Sequence, residues 1–134
     1  FIYAINAYFK IGENPEKEIR FDKVKLKIDI WHSYLERTLP FGSLSSGEKQ
    51  IVSIFSRLLL DTKRQFLILI DEPELSLSIE WQRRFLPDIL KSKSCSQLIA
   101  ITHSPFIFEN ELDLFAKSIN ISKNSKERIN HGSR

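Results

Sequence analysis

Two adjacent carboxylates, Asp71 and Glu72, close the apolar run Phe66-Leu67-Ile68-Leu69-Ile70 and are followed at once by Pro73. Carboxylates placed this way can do two kinds of work: hold a divalent cation, or orient and deprotonate water. Neighbours on an extended strand point to opposite faces, so the two acids cannot meet one atom in the same way and two separate roles fit better than one. The plain alternative is that Asp-Glu-Pro only begins a loop. Ser45-Ser46-Gly47-Glu48 is a second candidate. Ser45 and Glu48 have the spacing of a helix capping box, whereas Ser46 and Gly47 leave backbone N–H groups and a hydroxyl open to an anion at a helix N-terminus. The two readings are compatible. The third is His103, just past the apolar run Leu98-Ile99-Ala100-Ile101. It either flanks the Ser104-Pro105 step or shares a sheet edge with Glu72 and bonds a phosphate or an attacking water.

The elements that must position these residues follow from periodicity. Two short unbroken apolar runs, Phe66–Ile70 and Leu98–Ile101, predict strands of a parallel sheet covered on both faces by helices, and ligands gather at the carboxyl ends of such strands. Ile51, Ile54, Phe55, Leu58 and Leu59 recur at helical spacing after Glu48, and Trp81, Phe85 and Ile89 do so within a helix expected over Ile79–Lys91. Pro87 should kink that helix or end its regular part early. Val24, Leu26, Ile28 and Ile30 alternate with Lys23, Lys25, Lys27 and Asp29, which predicts one half-exposed strand. Phe1–Phe9 reads as strand or short helix, 12–18 as a polar turn and 91–97 as a polar loop. Ser104 is expected to cap a helix with Pro105 at its first position, 117–122 to form one more strand, and 123–134 to be a polar tail.

In order along the chain, Leu44-Ser45-Ser46-Gly47-Glu48-Lys49-Gln50, Phe66 to Pro73 and Ile101-Thr102-His103-Ser104-Pro105 resemble the signature motif, Walker B motif and switch histidine of ABC-type ATPases. Glu74-Leu75-Ser76-Leu77 and Glu80-Trp81-Gln82 are similar to the OLD-like members of the RecF, SMC and OLD-like branch rather than to transporters. The resemblance covers roughly 41–108. It implies a P-loop NTPase-like α/β fold, present as a partial domain over 1–122, with ATP and Mg²⁺ as ligands. By position, Ser45 would reach the γ-phosphate of ATP held by a second subunit, with Ser46 and Gly47 beside it. Asp71 would be the Mg²⁺-associated aspartate, Glu72 the catalytic glutamate and His103 the switch histidine. A homodimer or a second ATPase subunit is the implied partner, DNA a possible one, and DNA metabolism or anti-phage defence the implied setting. Ser78-Ile79 departs from the family wording, which has Asp or His-Pro there.

The chain has only four glycines, at 12, 42, 47 and 132, and no G-x-x-x-x-G-K-S/T. It also opens at Phe1 and contains no Met, so it is expected to be the C-terminal portion of a longer ATPase. The competing expectation is a non-catalytic interaction module that completes a partner's ATP site. At 134 residues it is about one domain long. A formal charge of +3 permits nucleic-acid contact without arguing for it. One cysteine, Cys95, excludes an internal disulfide and suits a reducing, cytoplasmic setting. No apolar run approaches the ~20 residues that a membrane helix needs.

Overall fold

In a computed structural model of the chain, residues 1–11 and 16–119 are described. Helix α1 (Ile2–Ile11) leads into an antiparallel sheet of β1 (Lys17–Asp22), β2 (Lys27–His32) and β3 (Arg37–Leu39). Helix α2 (Ser46–Leu60), strand β4 (Phe66–Asp71), helix α3 (Ile79–Leu90) and strand β5 (Cys95–Ile101) follow, and β4 pairs with β5 in parallel. The expected α/β unit is therefore present, with a small parallel sheet of two strands. No helix of the described residues is long and apolar enough to cross a membrane.

One core joins these elements. Ile5, Tyr8 and Phe9 from α1 meet Ile51, Phe55 and Leu58 from α2 and Trp81, Phe85 and Ile89 from α3. Tyr8 stands at the centre, 5.4 Å from the Phe55 ring and 5.7 Å from Trp81. Its hydroxyl donates to Asp88, and its backbone carbonyl accepts from the Trp81 indole N–H. Burial, then the Asp88 carboxylate beside it, push the Tyr8 phenol far above its usual range, so it stays a neutral donor.

Several expectations are corrected. The alternating stretch from Val24 is not one strand: Lys23–Leu26 is the turn of a hairpin, with Val24 92% and Leu26 78% exposed, and only Ile28 and Ile30 face inward on β2. Asp22 starts that turn by accepting from the N–H groups of Val24 and Lys25, and Leu26 ends it at φ 50°. Lys17 and Glu18 belong to β1 rather than to a polar turn, and β5 begins at Cys95, inside the expected polar loop. Phe1–Phe9 resolves to helix. Segment 117–119 lies outside regular structure; the rest of that expected strand, 12–15 of the expected turn and the 123–134 tail lie outside the described residues. The parallel sheet is covered on one face only among the described residues. Ile68, Ile70, Leu98 and Ala100 pack on the core, while Leu67, Leu69, Ile99 and Ile101 are exposed.

Pro87 does not stop α3, which continues to Leu90. Proline has no N–H, so the carbonyl of Arg83, four residues back, loses its helical donor. The side-chain amide of Asn110 takes that place at 2.9 Å. A double-mutant cycle checks this pairing. In urea unfolding, Asn110→Ala should cost at least about 0.5 kcal/mol more in the Pro87 chain than in a Pro87→Ala background, where the helix supplies its own donor.

Candidate active site edge

The carboxyl ends of β4 and β5 lie side by side, with Asp71 in register with Ile101. Asp71 is exposed, on the same uncovered face as Leu67 and Leu69. Immediately after it the chain leaves the extended conformation. Glu72 has φ 46°, a left-handed backbone that glutamate rarely adopts, yet its N–H still donates to the Ile101 carbonyl at 2.8 Å. The alternation of faces therefore ends at Asp71, and Glu72 is aimed by a turn rather than by the strand. The turn closes through Leu75 N–H on the Glu72 carbonyl and Leu77 N–H on that of Glu74. Thr102 and His103 follow β5 directly, so Asp71, Glu72 and His103 share one sheet edge. His103 is exposed and lines a broad, mostly apolar cleft with Ile99, Ile101 and Phe108.

Ser45, Ser46 and Gly47 stand elsewhere, at the start of α2. The capping box is complete: the Ser45 hydroxyl accepts from Glu48 N–H at 3.2 Å, and the Glu48 carboxylate accepts from Ser45 N–H at 2.7 Å. Ser45 and Ser46 are exposed and line a cleft of about 230 Å³ with Ser76, Ser78 and Trp81. Asp71, Glu72 and His103 do not line it. The structure thus forms two groups, an acidic and histidine edge and a serine-lined helix start.

One contact joins the two groups and a second anchors the helix start from behind, and neither partnership was read from the sequence. A Cβ added to Gly47 would lie 2.1 Å from the backbone oxygen of Ser76, so the close approach at Gly47 is made by the chain's own loop. Gln50 reinforces it, its side-chain amide donating to the Pro73 carbonyl at 3.2 Å. Behind the capping box, Glu48 is buried and ion-paired with Lys17 of β1 at 3.0 Å, which ties the antiparallel sheet to the helix start. Neither partnership has a local sequence signal; the glycine between Ser46 and Glu48, a poor helix residue, was the one clue to the first. Ser78, at the departure from the family wording, caps α3 by accepting from Trp81 N–H. Ser104 makes no cap, and its hydroxyl donates instead to Gln82, beside a short 3-10 turn over Pro105–Ile107.

Glu74 is the perturbed acid of the edge. Burial pushes its carboxyl up, but hydrogen bonds from the Thr102 hydroxyl and from backbone N–H groups, His103 among them, outweigh it and hold the group below its ordinary 4.5. Among the described residues no cluster of three or more ligating side chains could cage a metal. Magnesium does not need one: it is commonly held by one or two carboxylates together with water and substrate phosphates. Exposed Asp71 beside Glu72 suits that kind of site.

A sequence model described as an AAA domain, putative AbiEii toxin, type IV TA system, matches residues 10–109. The chain belongs to this AAA-domain family. It is accordingly a member of the P-loop ATPase superfamily. The chain is also similar to the Septu protein PtuA of Bacillus thuringiensis, at 32% identity in an alignment 108 residues long that covers 70% of this chain and 27% of the relative. It therefore spans about a quarter of that relative's length.

Two measurements check the geometry. Alanine is the better helix former by about 1 kcal/mol, yet Gly47→Ala should destabilise the chain by about 1–3 kcal/mol in urea unfolding, because the methyl must displace a backbone carbonyl. The Glu74 carboxyl titrates below its unfolded value. Its stabilisation is thus complete above pH 4.5 and lost as pH falls from there through the folded value. The stability gap between the native chain and Glu74→Gln should accordingly narrow below pH 4.5.

Proposed function

We propose that this chain supplies the signature, Walker B and switch-histidine walls of an ATP-hydrolysing site in an OLD-like, ABC-type ATPase, with nucleotide sandwiched between two subunits. The observation that carries the reading is the edge where Asp71 and a left-handed Glu72 end β4 beside the His103 segment that ends β5. Water attacks the γ-phosphorus, the bond to the ADP oxygen breaks, and Glu72 orients the water and takes its proton. His103 hydrogen-bonds the terminal phosphate or the water. Asp71 would hold Mg²⁺, directly or through its waters, and the ion would neutralise charge on the phosphates. Ser45, with Ser46 and Gly47 at the same helix start, would meet the γ-phosphate bound by the other subunit. The separation of the serine-lined cleft from the acidic edge supports such a division between subunits, and the phosphate-gripping loop would come from outside these 134 residues. The family description, a putative toxin of a type IV TA system, favours a defence role over DNA repair; a cytoplasmic setting and DNA as a ligand are further parts of the proposal.

A second reading has its own observation. No G-x-x-x-x-G-K-S/T stands in the chain, as a non-catalytic module completing a partner's site would have it. ATP turnover separates the two. The 134-residue chain alone should hydrolyse no ATP. In the assembly that supplies the P-loop, Glu72→Gln should lower kcat by about 10²–10⁴-fold, the usual worth of a general base. Turnover by the isolated chain, or a fully active Glu72→Gln variant in the assembly, would overturn the proposal.

A further inference from the structure

The reaction outlined above leaves one well-held carboxylate without a task. Glu74 sits two residues beyond Glu72, in the turn that follows β4, and both of its oxygens are engaged across the gap to the end of β5. Oε2 accepts from the Thr102 hydroxyl at 2.6 Å, and Oε1 accepts from the backbone N–H of His103 at 2.8 Å. The same Thr102 oxygen accepts from Ser104 N–H at 3.0 Å, so this acid holds Thr102 and His103 directly and reaches Ser104 through the Thr102 hydroxyl. Gln82 makes a parallel brace. Its amide N–H donates to the Leu77 carbonyl at 2.9 Å, and its amide oxygen accepts from the Ser104 hydroxyl at 2.6 Å. The loop after β4 and the loop after β5 are thereby locked together twice, with Glu72 at the start of one and His103 within the other.

We propose that Glu74 is a positioning residue, which fixes the His103 segment relative to Glu72 and so sets the hydrolytic edge. The proposal rests on the ATPase reading for its catalytic consequence, but not for its structural one. Charge-assisted hydrogen bonds are short and directional, and a carboxylate that receives two of them from one segment holds its height as well as its distance. Glutamine can reproduce that hold. Its amide oxygen can accept from His103 N–H while its NH₂ donates to Thr102 Oγ1. Alanine cannot.

The test has two arms. In the 134-residue chain, amide hydrogen exchange at His103 is followed by NMR. Glu74→Ala should speed it by at least about tenfold, the equivalent of one lost hydrogen bond to a charged acceptor, and Glu74→Gln should restore most of the protection. In the assembly that hydrolyses ATP, Glu74→Ala should lower kcat by up to about 10²-fold with little change in KM, the signature of misplaced groups rather than lost binding. Glu74→Gln should recover most of that loss. Unchanged exchange in Glu74→Ala overturns the proposal, and so does a Glu74→Gln enzyme as impaired as Glu74→Ala, which would make the charge itself the active element. If Glu74→Ala does not fold, Thr102→Val carries the test: it should raise His103 exchange and lower kcat in the same sense, and unchanged values overturn the proposal. Glu72→Gln runs alongside. An active Glu72→Gln assembly defeats the ATPase reading, and the exchange arm still decides the role of Glu74.

Discussion

No side chain fits between Gly47 and the carbonyl of Ser76, whose oxygen lies 2.1 Å from where a Cβ would stand, and that approach sets where the loop after β4 can run. Once Ser76 is seated on the start of α2, Gln50 reaches the Pro73 carbonyl. The turn from Glu72 to Leu77 then closes within a short span. The loop that begins at Glu72 is placed from one side by this contact, while the pairing of β4 with β5 places Asp71 and the Glu74 bonds place the His103 segment. The helix start is itself fixed from behind, where Lys17 holds the buried Glu48 of the capping box. An isolated buried ion pair is poor evidence of stability. This one also receives the Ser45 N–H and adds a Lys17 bond to the Ser43 carbonyl, so its charges are well satisfied.

The two sheets divide the labour. The antiparallel hairpins of β1–β3 carry no candidate site residue and serve as a backing for α1 and for the start of α2. The parallel pair carries the candidate residues Asp71, Glu72 and His103 at one edge. Its core face is held by Ile68, Ile70, Leu98 and Ala100, and its other face presents Leu67, Leu69, Ile99 and Ile101.

What could be read from residues alone was whatever depended on neighbours in sequence. The capping box at Ser45 and Glu48, the helical stripe of Ile51, Phe55 and Leu58, and the strand ending in Asp71 are local patterns, and each is present. The hairpin was misread because Lys residues alternate with Val24 and Leu26 through the turn itself; Asp22, a turn-former by its side chain, was the better signal. An early end of α3 at Pro87, one of the two outcomes expected there, does not occur, and the group that replaces the lost donor, Asn110, lies too far along the chain to be foreseen. Coverage of the parallel strands on both faces was expected from their unbroken apolar runs, yet burial is decided by what packs on them. At the site, the left-handed Glu72 and the double grip of Glu74 on Thr102 and His103 were invisible, since both arise only when two strand ends meet.

Glu72 also bears on how such a chain can evolve. A non-glycine residue in the left-handed region costs on the order of 1–3 kcal/mol. Glycine removes that cost, and asparagine or aspartate reduces it. Selection for stability alone would thus pull position 72 toward residues that lack a glutamate's reach. On the reaction proposed above, folding and turnover would favour different residues at this position, and a lineage without that reaction would be free to settle on the more comfortable one.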